Sequence, residues 1–118
     1  MVVKDFNAVV HTQLGLCESL LTSKGHEYAA DVYTTENSLV KGLPEPDRLL
    51  HFKKAAAIMN TTPKVALLGM LSKHIVSVSD MCTDKDTHYS LEKWDEKITD
   101  SINYLLILRA IVEEEQHE

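Results

Sequence analysis

The segment from Leu91 to Val112 limits the fold of this chain more than any other stretch. At about 100° per residue, Leu91, Trp94, Ile98, Ile102, Leu105, Leu108 and Val112 fall on one stripe of a helix. Glu92, Glu96, Asp100 and Asn103 lie nearly opposite, and Ile107 and Ile111 continue their line as apolar residues. Such a helix is amphipathic where it begins and buried nearly all round where it ends. It needs other helices on more than one side, which predicts a bundle.

Three more segments carry the helical period. The first runs from about Asp5 to about Ala29, with Phe6, Val9, Val10, Leu14, Cys17, Leu20 and Leu21 recurring at helical intervals. The second runs from about Pro46 to Met59 and carries Leu49, Leu50, Phe52, Ala56, Ala57 and Ile58. Thr62 as N-cap and Pro63 at the first helical position open the third, which continues to about Met81. The last begins after Ser90 and reaches about Glu113. Strand-like alternation is nearly absent, and only four glycines and three prolines punctuate 118 residues. These features predict an all-α, four-helix bundle-like single domain spanning residues 1–118.

The polar run Thr83 to Thr87 is short enough to make the last two helices antiparallel neighbours. Asp31 to Leu43 has β-branched residues without a period and is long for a loop in a small domain. It is expected to be an ordered crossover between the first two helices, lying near the site. Glu113, Glu114 and Glu115 oppose the helix dipole, so residues 113–118 are expected to fray as an acidic tail.

Twelve basic residues against eighteen acidic ones leave a net charge of −6, and the cations are scattered. That pattern argues against nucleic-acid binding, which needs a basic patch. Small phosphorylated ligands remain open, since one or two cations or a bridging metal suffice for them. Cys17 and Cys82 lack any CxxC or paired-histidine context and are expected to be reduced, buried thiols. No basic-then-apolar leader and no apolar run of spanning length is visible. A soluble cytoplasmic protein without a membrane contact is therefore expected.

Asp100 and Asn103 sit where the last helix changes from wet to buried. Burying them without partners costs on the order of several kcal/mol, so protein or ligand must meet them. Lys73 lies among the small or slender residues Ala66, Met70 and Ser77, while His74 points to the Leu67, Leu71 and Val78 side. Lys24 and Tyr28, beside Gly25 and Glu27, set a cation next to an aromatic ring, which suits a base and a phosphate. The spacing of Glu96 and Asp100 places two carboxylates on one face, a pattern that helical proteins use for divalent metals. The six histidines show no HxxxH or HExxH spacing. No Walker loop, GxGxxG, GxSxG or Cys/His dyad is present, so no catalytic residue is assigned.

Three elements together carry a resemblance to a family: Lys24-Gly25-His26-Glu27-Tyr28-Ala29, the lysine-led Met70-Leu71-Ser72-Lys73-His74, and Glu92, Glu96, Asp100, Asn103 and Tyr104 at fixed spacing. Over roughly residues 14 to 112 their order resembles the small, largely phage-borne all-α proteins of the nucleotide modification associated domain 1 family. The last helix also looks like the second metal-binding helix of MazG-type nucleotide pyrophosphohydrolases. The resemblance implies a homo-oligomer handling a nucleotide-like ligand in the host cytoplasm. Its ligand-binding set would be Lys24, Tyr28, Lys73, His74, Asn103 and Tyr104, with Glu96 and Asp100 as ligands of a magnesium ion.

The chain departs from the MazG pattern at two points. Lys97 stands where the second glutamate of that motif is expected, and no ExxE precedes it. The expectation is therefore a binding module for a nucleotide or nucleotide-derived signal, sequestering it as an anti-defence factor. The alternatives are a magnesium-dependent nucleotide pyrophosphohydrolase and a protein-binding inhibitor of a host defence enzyme.

Overall fold

Local chemistry sets where each helix begins. Thr62 Oγ1 accepts the Val65 N–H at 3.4 Å ahead of Pro63, and Ser90 Oγ accepts the Lys93 N–H at 3.1 Å. Both caps satisfy donors that a helix leaves orphaned at its start. Asp47 Oδ1 accepts the Leu49 N–H at 2.9 Å, a turn that delays the second helix to Leu50 from the expected Pro46. Asn60 ends that helix in the left-handed conformation (φ 55°, ψ 50°), which asparagine tolerates well.

The computed structural model describes residues 1–30 and 47–118, and the side chains of all of these except 24–30. These residues form α1 (Val3–Ala30), α2 (Leu50–Met59), α3 (Pro63–Thr83) and α4 (Leu91–Gln116), with no strand among them. The fold is all-α and bundle-like. The expected crossover, Asp31 to Leu43, lies outside the described residues.

α3 and α4 run antiparallel, as the Lys64–Glu115 ion pair (3.1 Å) and the His74–Asp100 approach (3.9 Å) fix. α1 and α4 run in the same direction. Ala8, Val9 and Thr12 of α1 lie beside Leu91 and Asp95, whereas Leu20 and Leu21 lie beside Asn103, Tyr104 and Ile107. The main core gathers Leu49 and Phe52 with Leu67 and Leu71 of α3 and Ile111 of α4, and Met70, Tyr104, Ile107 and Leu108 pack against it.

α4 continues to Gln116, past the expected fraying point at Glu113. Cations offset the acidic end. Arg109 pairs with Glu113, Lys64 with Glu115, and Lys53 bridges Glu114 (2.6 Å) and Asp47 (2.7 Å). Hydrogen bonds that Lys53 donates to Asp47, then to Glu114, raise its pKa. Burial pushes the Asp47 carboxyl up, but the Lys53 hydrogen bond and the Leu49 N–H outweigh it and leave it lowered. These groups are more than a third exposed, so each pair adds little to stability.

The α3–α4 connection is closed by Asp84. Its carboxylate accepts the Asp86 N–H, the Tyr89 hydroxyl and the Thr87 N–H, which hold its pKa down to about 2. Tyr89 in turn sets its ring edge-on to Trp94 at 6.1 Å.

Three expectations change against this fold. The α4 apolar stripe does not define its buried face: Leu91 is 75% exposed and Leu105 50%, while Thr99, Ser101, Asn103 and Ile111 are buried. α1 covers the line through Thr99 and Asn103, which the sequence marks as polar. Cys17 is buried as expected, but Cys82 is exposed. Finally, α3 is long and apolar enough to span a membrane by length and composition, with mean hydropathy 1.3 over its best window.

Candidate binding cleft

α1 meets α4 through a polar seam. Gln13 Nε2 donates to Thr99 Oγ1 at 2.8 Å and to Cys17 Sγ at 3.4 Å, and both recipients are buried. Four residues along α4 from Thr99, one helical turn on, Asn103 occupies the same face. It is 6% exposed, and its Oδ1 is buried without a hydrogen-bond partner among the described residues.

Asn103 lines a small cavity of about 30 Å³ with Leu20 and Leu21 of α1, Arg48 and Phe52, and Asp100, Tyr104 and Ile107 of α4. That volume is about one water molecule's share of the liquid, enough for a single polar group. The wall is mixed: a guanidinium, a carboxylate, an amide and two aromatic rings among aliphatic side chains. Tyr104 is held between neighbours. Phe52 meets it edge-on at 6.4 Å, and the His74 ring lies 4.9 Å away with a 34° tilt. His74 Nδ1 also lies 3.9 Å from Asp100 Oδ2, and both side chains are about three-quarters buried.

The fold thus brings together four residues singled out in the sequence: His74, Asp100, Asn103 and Tyr104. Lys73 does not join them; it is exposed and does not line the cavity. Lys24 and Tyr28 belong to the end of α1, and their side chains lie outside the described residues. Glu96 is exposed, lies 3.9 Å from Lys93, and lines a separate cleft with Leu16, Ser19, Leu20, Ser23, Asp95 and Thr99. Among the described residues no three His, Cys, Asp or Glu side chains gather to hold a metal ion. Glu96 and Asp100 stand one turn apart on α4 and line different clefts.

Sequence reading missed Arg48 and Phe52 as members of the cleft. Phe52 reads as core, which it also is. Arg48 stands just ahead of α2 in the sequence, and only the docking of α2 on α3 and α1 reveals that it reaches Asn103's surroundings. No protein-family model matches this sequence, and neither a curated protein nor a solved structure matches it.

Proposed function

We propose that this chain is a binding module for a small nucleotide-like anion, held at the cleft formed by Arg48, Phe52, Asp100, Asn103 and Tyr104. The observation that carries the reading is Asn103 Oδ1, an acceptor buried without a partner among the described residues. Leaving such a group unpaired costs about 1–3 kcal/mol, a cost a ligand's donor removes. Asn103 Oδ1 and the Asp100 carboxylate both ask for a donor, and the cavity has room for about one polar group. An exocyclic amino group of a nucleobase has that size and polarity. Arg48 and Tyr104 stand in the same wall, a guanidinium of the kind that meets phosphates beside an aromatic ring.

Calorimetric titration of the full chain against mononucleotides, nucleoside triphosphates and cyclic dinucleotides tests the reading. The expected result is binding of at least one amino-bearing member, lost in Asn103→Leu while the circular dichroism spectrum is kept. Silence of the wild-type protein across the panel removes the proposal.

A further inference from the structure

α3 is apolar on two opposite sides, and the described residues cover only one of them. Leu67, Leu71 and Met81 face the core, each less than a tenth exposed. Val65, Leu68, Ile75 and Val76 lie on the other side and are 49%, 59%, 48% and 59% exposed. Exposed Gly69, Ser72 and Ser79 fill the gaps between them, so from Val65 to Thr83 this outer face bears no charge. A Cβ built on Gly69 meets nothing within 4 Å among the described residues, so none of them closes this side of α3. A continuous uncharged stripe along a helix of 21 residues marks an interaction surface rather than a wet face.

The charges at its edge say what covers it. Lys73 and Asp80 are seven residues apart, close to two turns, so both lie along the same margin of the stripe. Both are exposed, and neither forms an ion pair with another described residue. When two identical helices pack antiparallel across a two-fold axis, each margin meets itself. An axis passing beside Val76 then sets Lys73 of each copy against Asp80 of the other, twice by symmetry. The same axis brings the Ile75 and Val76 side chains of the two copies together at the centre. A parallel pair instead sets this margin against the one bearing Lys64 and Cys82, where no carboxylate is available. We infer that the outer face of α3 is an isologous, antiparallel dimer interface whose occupant is a second copy of this chain. None of its residues lines the Asn103 cavity, so the inference stands apart from the ligand reading.

Sedimentation velocity of the full chain under reducing conditions, across a dilution series, tests it. The wild-type protein is expected to be dimeric at high concentration. Ile75→Glu with Val76→Glu is expected to give a folded monomer, because both side chains are exposed within one copy and leave its core untouched. Lys73→Asp alone is expected to weaken the dimer on the order of tenfold or more through like-charge contact. Adding Asp80→Lys to the same chain is expected to restore it, which a merely hydrophobic association does not predict. A wild-type monomer at every concentration overturns the inference, as does a dimer that survives the double glutamate variant. So does a charge-exchanged protein no tighter than the single reversal. Flotation of the wild-type protein with phosphatidylcholine vesicles also overturns it, by assigning the face to a lipid surface.

Discussion

The two ends of α4 are packed by opposite chemistry. Toward its C-terminus, Ile107, Leu108 and Ile111 close on Leu49, Phe52, Leu67 and Leu71 in a cluster without polar atoms at its centre. Toward its N-terminus, α1 contributes Gln13 and Cys17, and α4 answers with Thr99 and Asn103. The first interface holds by area removed from water and is indifferent to detail. The second needs each acceptor to find its donor, and Asn103 Oδ1 finds none among the described residues. Stability thus resides in α2, α3 and the end of α4, while the proposed binding cleft sits where α1 meets the middle of α4. The cavity lies at the junction, with Phe52 and Tyr104 belonging to both.

The largest effect expected from this division is at the apolar end. Phe52 is 2% exposed and touches both the aliphatic cluster and Tyr104. Phe52→Ala is expected to cost about 3–5 kcal/mol of unfolding free energy, read by urea denaturation. A loss under about 1 kcal/mol shows that the cluster is loosely packed and that the contrast with the seam is false.

Most of the fold is legible in the sequence because period and caps are local signals. Thr62-Pro63 and Ser90 mark the starts of α3 and α4, and the Leu67, Leu71 core line follows from spacing alone. What spacing does not carry is which side of an apolar helix receives a partner. α1 illustrates the point. Its stripe runs from Phe6 through Val9 and Val10 to Cys17 and Leu20, yet the described residues bury only the later part. Phe6 is 57% exposed and Val9 54%, whereas Cys17 is buried. The site divides in the same way. Asn103 and Asp100 stand out because polar residues on the edge of an apolar run must be met. Arg48 does not, since its place depends on how α2 docks on α3 and α1.

Asn103 gives the second way to sharpen the comparison. If its carbonyl is kept for a ligand, the free protein carries its desolvation as a standing cost. Asn103→Leu is then expected to raise stability by about 1 kcal/mol, because an apolar side chain of similar shape removes an unpaired buried acceptor. The same change is expected to abolish the proposed ligand binding, the opposition expected of a residue retained for function. A marked loss of stability instead shows that Asn103 supports the seam as Gln13 does, and the two ends of α4 differ less than their chemistry suggests.

The smallest effect concerns the seam itself. Gln13→Ala removes the 2.8 Å hydrogen bond to Thr99 and leaves that hydroxyl buried. A neutral bond of this kind is worth about 1 kcal/mol net, with an added cost for the stranded partner, so the global loss should stay near 1–2 kcal/mol. Its distribution is more telling than its size. α1 buries few side chains of its own, and Cys17 alone among its described residues is fully covered. Weakening the seam should therefore speed amide hydrogen exchange along α1 well before α3 and the end of α4 respond. Uniform acceleration across all four helices shows instead that α1 opens only when the whole bundle does. The polar seam would then be as much a part of the cooperative core as the cluster around Phe52.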